Sequence, residues 1–481
     1  MTGNPAWFDT SACLVGGTWR ATGAVIPVTD PSTGAHLCDI ARGSAGDVED
    51  AVQAARAAFK GDWGHTSAAD RGRCLTRLSA LVRDRVDDLA RLEATDVGKP
   101  LRQARADALA LARYAEFYGG AADKLMGQTI PYHNGYTVYT LREPHGVTGH
   151  IIPWNYPMQI LGRSLLASLA AGNAAVVKPA EDACLTALAL ARLCEEAGFP
   201  PGAVNVVPGY GSEAGAALAA HPGVDHLSFT GSVATGRSVQ ASAAANVVPV
   251  TLELGGKSPH LVFADADIEA ALPVIVNSGI QNAGQTCSAG SRVLVHRSRY
   301  DEVVARLSAR FRALRAGPAM ADHDLGPIVS ARQRDRVAGM LAGAGGFVAA
   351  TGEVASDAPA GGFYLPPVLL AGLPHDHDLA QQEIFGPVQA VFPFDDDDHA
   401  VALANGTPYG LVAAVWTGDT GRAMRLPRRL RAGQVFVNNY GAGGGVELPF
   451  GGRGASGHGR EKGFEALYGF TALKTVAAWH G

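Results

Sequence analysis

The sequence predicts an α/β protein built around a doubly wound, mostly parallel sheet. Three observations carry this reading. From Gly146 onward, short apolar runs (VTGHII, AAVVKP, AVNVV, DHLSFT, TLELGG) alternate with segments of helical periodicity. Those runs are apolar on successive positions, as strands buried on both faces are. At 481 residues the chain exceeds one small core, so two or more domains are expected.

Taken in order, residues 1–45 read as short strands and turns, with TDPSTG a turn. Residues 47–119 are helical: apolar positions recur at three and four residues, and Gly98 with Pro100 gives a stop. Arg83, Arg85, Asp87 and Asp88 belong to the wet face of these helices. Residues 120–142 contain the alternating TVYTLRE, an extended arm or edge hairpin. Helices are expected over 158–171, 183–197, 213–220 and from about Val233, each between apolar strands. Repeated βα units of this kind imply a parallel, nucleotide-binding sheet. SPHLVF opens a second α/β region reaching about Asn438, and a glycine-rich tail follows. The aspartate run at 395–398 reads as a solvated turn or a helix start.

Composition narrows the function. Hydrophobic residues make up 47% and charged residues 18%, an ordinary globular balance. A net charge of -5 from 40 basic and 45 acidic side chains argues against a nucleic-acid or anionic-membrane surface. Six scattered cysteines without a C-x-x-C pair suit reduced thiols in the cytoplasm. The start, MTGNPAWFDTSAC, has no basic stretch followed by an apolar core, so no leader is expected. The apolar run 164–177 is interrupted by Gly172 and Asn173 and falls short of the ~18 residues of a membrane span. HDHD at 375–378 lacks the spaced partners of a metal site, so no metal is expected. A serine hydrolase is disfavoured because no G-x-S-x-G is present.

The chemistry-bearing candidates start with GQTCSAGSR, where Cys287 stands among small and polar residues that let a substrate approach sulfur. If this stretch opens a helix, its free N–H groups favour the thiolate; the alternative is an inert intracellular thiol. FTGSVATG puts Gly231 and Ser232 between a strand and a helix start, where a pyrophosphate fits; the plain alternative is a capped βα turn. AAVVKPAE sets Lys178 and Glu181 at a strand's carboxyl end, suited to ribose hydroxyls, or else to a simple ion pair. In IIPWNYP, Asn155 is an oxyanion donor or a turn former. Glu253, in LELGGK, follows an apolar strand, a setting that raises a carboxylate toward general-base duty.

In their order along the chain, PWNYP, KPAE, FTGS, LELGGKSP, GQTCSAGSR, EIFGP and PFGG…SGHGRE resemble the NAD(P)-dependent aldehyde dehydrogenase superfamily, from about residue 20 to residue 476. The resemblance implies an aldehyde-dehydrogenase-like fold: a Rossmann-type cofactor domain (1–120 and 145–253), an α/β catalytic domain (254–440), and an oligomerisation arm with the C-terminal tail (121–144 and 441–481). It implies Cys287 as nucleophile, Asn155 with the Cys287 backbone N–H for the oxyanion, and Glu253 as base. It further implies Lys178 and Glu181 on the adenosine ribose, Ser232 with Gly231 on the pyrophosphate, Glu383 on the nicotinamide ribose, and Ile152, Pro153, Trp154 and Phe385 around the nicotinamide. Glu181 favours NAD over NADP, because a carboxylate repels a 2′-phosphate. Arg163, with Tyr156 as a substrate-side neighbour, resembles the arginine that holds the carboxylate of succinic semialdehyde. Gln281, however, stands where those enzymes carry a second arginine, so an aromatic or aliphatic aldehyde and a structural role for Arg163 stay open. A cysteine-dependent ester hydrolase on the same scaffold is the functional competitor. A homodimer or homotetramer acting on a small aldehyde is implied.

Overall fold

The computed structural model describes residues 7–481; residues 1–6, where the stretch read for a leader begins, lie outside them. Five parallel strands lie side by side in the order Val204–Val206, Ala174–Pro179, Val147–Ile152, His226–Thr230, Val250–Glu253. The chain enters at the middle strand, winds outward to one side, and then crosses to the other. That reversal opens a crevice at the carboxyl ends of Val147–Ile152 and His226–Thr230, where open α/β sheets bind ligands. The two longest of these strands, Val147–Ile152 and Ala174–Pro179, are buried at every position, which is why their sequence runs apolar without alternation. Helix Pro157–Ala171 between them is almost wholly buried, with Pro157 at its first turn and Gly172 left-handed at its end.

A second sheet of seven strands runs in the order Val348–Thr351, Val368–Ala371, Val388–Phe394, Arg292–His296, Pro259–Val262, Val412–Trp416, Gln434–Val437; only its first strand is antiparallel to its neighbour. The aspartate run starts a helix here: Asp396 caps Asp397–Asn405. A third sheet joins Thr471–Trp479 to Tyr136–Pro144, with Thr129–Ile130 outside. The tail also turns inward, since Gly457–His458 pairs with the edge strand Val250–Glu253 of the first sheet. No helix among the described residues is long and apolar enough to cross a membrane.

One helix departs from its sequence pattern. The expected helix over 213–220 is a wide turn, Gly211–Gly215, followed by the short helix Ala216–Ala219. Two glycines weaken the first turn, and the Tyr210 carbonyl accepts from Gly215 N–H, five residues on, as well as from Glu213.

The helical block holds an unexpected buried charge cluster. Helix Val86–Val97 ends at left-handed Gly98, and helix Leu101–Ala121 begins three residues later. Between them Lys99, fully buried, donates to Glu93 at 2.8 Å and pairs with buried Asp107. Its ammonium lies 3.9 Å from the centre of the Tyr156 ring, and Gln159 donates to Asp107 at 2.5 Å. One cation thus ties two helices to the turn that carries Asn155. Burial lifts Glu93 to about 8 despite the opposing Lys99 charge. Removing the lysine leaves two carboxylates buried without their cation. Lys99→Met is expected to cost about 3–5 kcal/mol of stability, read as a lower Tm and a lower denaturant midpoint.

Candidate active site

The cysteine loop is shaped by backbone reversal. Helix Ile268–Ile280 ends, and Asn282, Ala283 and Gly284 then adopt φ of +49°, +53° and +71°. Only glycine fits the last of these, because a Cβ on Gly284 would lie 2.0 Å from the Gly386 carbonyl oxygen. Cys287 therefore follows a helix and precedes strand Arg292–His296, and no helix starts at it. The expectation of helix N–H groups beside the sulfur is corrected accordingly. Gln285 locks the loop by accepting from Val329 N–H at 3.0 Å and donating to the Asn282 carbonyl at 3.0 Å.

The small neighbours in sequence do not describe the surroundings in space. Cys287 is half-buried against an apolar cluster of Leu411, Val412 and Phe450, on which Phe436 and Tyr440 also pack. Burial pushes its thiol up to about 11; Arg163 opposes the rise, while Glu383 and Glu253 add to it.

Asn155 is buried just beyond strand Val147–Ile152, and its amide donates to the Gln285 carbonyl at 2.9 Å. Its own carbonyl accepts from the Asn282 amide at 2.9 Å, so the turn and the cysteine loop are stitched together. One N–H of the Asn155 amide is left for a further acceptor. Glu253 ends its strand with its backbone carbonyl taken by Gly231 N–H at 3.0 Å. Its carboxyl is buried, and neither oxygen has a hydrogen-bond partner among the described residues. Burial, then the Glu461 charge, raises it well above the ordinary carboxylate range. Gly451 matters here, since a Cβ on it would sit 2.8 Å from Glu253 Oε1.

The crevice at the switch point fits a dinucleotide. Lys178, buried, donates to Glu181 at 2.9 Å; burial opposes ionisation of Glu181, but Lys178 and nearby backbone N–H groups hold it below its usual range. Gly231 and exposed Ser232 lead into helix Val233–Ala244, whose first turn Ser232 caps through Thr235 N–H at 3.2 Å. The capping role and an anion-facing helix start coexist there. Glu383 accepts from Gly256 N–H at 3.0 Å and crowds Gly255, where a Cβ would lie 2.1 Å from its oxygen. Burial lifts Glu383 to about 7. Ile152 and Pro153 lead to Trp154, whose ring meets Phe385 edge-on at 5.4 Å, with Phe385 held at φ +57°.

Two substrate-side candidates make contacts within the protein, and for Arg163 these match the structural alternative left open above. Arg163 is buried in an ion pair with Glu461, and its guanidinium lies 4.8 Å from the Phe450 ring centre. Glu461 is itself fixed by the Ser228 hydroxyl at 2.9 Å. The arginine is thereby committed within the protein rather than presented to a substrate carboxylate. Tyr156 likewise covers Lys99 with its ring, and its hydroxyl is buried without a partner among the described residues. Glu461 was within reach of sequence analysis through SGHGRE, but nothing local indicated its partner. Lys99 carried no signal beyond a helix stop. Arg163→Met leaves Glu461 buried and unpaired, so a loss of about 3–5 kcal/mol is expected; an unchanged thermal melt would instead mark Arg163 as free.

The aldehyde dehydrogenase family matches residues 19–476. Hydroxyisobutyraldehyde dehydrogenase of Mycolicibacterium austroafricanum is 42% identical over 469 residues, covering 96% of this chain and 92% of that protein. A candidate aldehyde dehydrogenase from Burkholderia cenocepacia superposes with a TM-score of 0.97 at 64% identity, covering 98% of this chain and 100% of that one. The NAD complex of a Bacillus cereus aldehyde dehydrogenase superposes with a TM-score of 0.94 at 38% identity, covering 98% and 97%. With a cysteine loop stitched to Asn155, an unpaired buried glutamate beside it and a dinucleotide crevice alongside, the chain belongs to the aldehyde dehydrogenase family and is an NAD-dependent enzyme of that class.

Proposed function

We propose that Cys287, Asn155 and Glu253 carry the oxidation of a small aldehyde to its acid, one after another. The supporting observation is the loop that joins Asn155 to Cys287 through the Gln285 carbonyl, close to a glutamate with no partner of its own. The Cys287 thiolate adds to the aldehyde carbon and forms a thiohemiacetal. The free Asn155 N–H and the Cys287 backbone N–H stabilise the oxyanion; losing one such donor costs about 3–4 kcal/mol of barrier. NAD supplies the acceptor for the departing hydride. The chain is left as a thioester on Cys287. Glu253 takes a proton from water, the hydroxide adds to the thioester carbon, the C–S bond breaks, and the acid leaves. Lys178 and Glu181 hold the adenosine ribose, Gly231 and Ser232 the pyrophosphate, Glu383 the nicotinamide ribose, and Trp154 with Phe385 the ring. The exposed Tyr136, Tyr139, Leu141, Leu473 and Trp479 of the third sheet, with Tyr132 in the loop between two of its strands, support a homo-oligomer. The absence of any long apolar helix among the described residues is compatible with a cytoplasmic enzyme.

Cys287→Ala is expected to abolish NADH formation, and retained activity would sink the mechanism. Glu253→Gln is expected to slow steady turnover more than the first-turnover burst, because only deacylation needs the base. Since Glu253 is raised and works ionised, kcat climbs with pH through that raised value, and the variant lacks this limb. An identical pH profile in wild type and variant would remove Glu253 from the rate. Glu181→Ser is expected to improve kcat/KM for NADP relative to NAD; an unchanged ratio would assign cofactor choice to another group.

A further inference from the structure

Three cations act on the Glu253 carboxyl, and two are occupied. Arg163 is neutralised by Glu461. Arg460 donates to the carbonyls of Gly452 and Gly459, at 3.2 and 2.5 Å. Lys462 differs. The side chain is half-buried, and its ammonium lies 5.5 Å from the centre of the Phe450 ring, a member of the apolar cluster on which Cys287 packs. Its one hydrogen-bond acceptor among the described residues is the Gly444 carbonyl at 3.3 Å, and no carboxylate there comes within ion-pair distance of it. Two ammonium hydrogens remain unused.

The backbone pays for this placement. Lys462 has φ +61° and ψ 163°, a region that only glycine enters without strain. Hydrogen bonds on both sides impose it. Phe450 and Glu461 exchange bonds of 2.7 and 2.8 Å, and Gly463 N–H donates to the Val446 carbonyl at 2.8 Å. A glycine at 462 would be easier to accommodate, yet a long cation stands there. It reaches the carbonyl of exposed Gly444, which has no side chain to screen it.

We propose that the Lys462 ammonium recognises a carboxylate at the far end of the aldehyde substrate, a role that rests on the aldehyde chemistry assigned above to Cys287. The Phe450 ring beside the ammonium belongs to the apolar cluster on which Cys287 packs, a setting that suits a short aliphatic chain between aldehyde and carboxylate. The favoured substrates are then ω-carboxylated aldehydes, anchored by Lys462 and not by Arg163. The Glu461 carboxylate next door does not cancel the site because Arg163 already neutralises it.

The test compares succinic and glutaric semialdehydes with butanal and pentanal, using wild type, Lys462→Met, Lys462→Gly and Lys462→Arg. Wild type is expected to prefer the carboxylated aldehydes, with the preference shrinking as salt is raised. The Met and Gly variants are expected to lower the carboxylated-to-neutral ratio of kcat/KM by ~10–100-fold, mostly through KM, since a charge-assisted contact is lost. Lys462→Arg restores most of it. The Gly variant relieves the strained backbone, so its Tm is expected to equal or exceed that of wild type, separating lost recognition from lost folding. No wild-type preference, or an equal fall in kcat for both classes, overturns the proposal and assigns Lys462 to the ionisation of Cys287 and Glu253. NADH from none of these aldehydes, with Cys287 still alkylated by iodoacetamide, overturns the underlying reading as well.

Discussion

Everything at the site depends on how the two sheets are held together, and a single buried hydroxyl does much of this. Ser456 Oγ donates to the Gly255 carbonyl at 2.7 Å and accepts from Gly410 N–H at 3.0 Å. Its backbone carbonyl accepts from Leu254 N–H at 3.1 Å. Leu254 and Gly255 directly follow the base, and Gly410 precedes the residues that pack on Cys287. One side chain therefore fixes the exit of the first sheet against the second. The same tail segment delivers Phe450, Glu461 and Lys462 to the cleft. The segment beyond residue 440 is thus part of the catalytic architecture as well as of the third sheet.

The electrostatics of this cleft favour using its two acids in turn. Burial raises both Cys287 and Glu253; the Glu253 charge raises Cys287 further, and the Glu461 charge raises Glu253. Ionising both together is therefore the costly state, and the resting site keeps its protons. Arg163 eases the ionisation of either group, but it is shared with Glu461. Linked titrations of this kind belong to the pair rather than to either group.

The sequence made the first sheet legible because its strands are buried on both faces, and continuous apolar runs leave few alternatives. The candidate cysteine, asparagine and glutamate stood out as well, because each sits in a short stretch whose neighbours are glycines, prolines or polar residues. Failures came where a property is set by distant chain. The apolar wall around Cys287 comes from Leu411, Val412, Phe436 and Phe450, none of which lies near it in sequence. The same holds for the left-handed run at Asn282 and Ala283, which no local preference announces and which removed the expected helix start.

Arg163 shows the limit most clearly. Its spacing from Asn155 on one helix correctly put it near the sulfur, but spacing assigns a face and not a partner. A guanidinium turned toward a cleft and one turned toward Glu461 produce the same sequence pattern. Burial decides between them: a buried arginine needs acceptors within the protein, and the tail supplies a carboxylate already fixed by Ser228. The cation left over is the one on a strained backbone, beside exposed glycines, with hydrogens to spare. Among the cations acting on Glu253, it has neither a carboxylate partner nor a second carbonyl among the described residues, and the proposed preference for an anionic substrate rests on that difference.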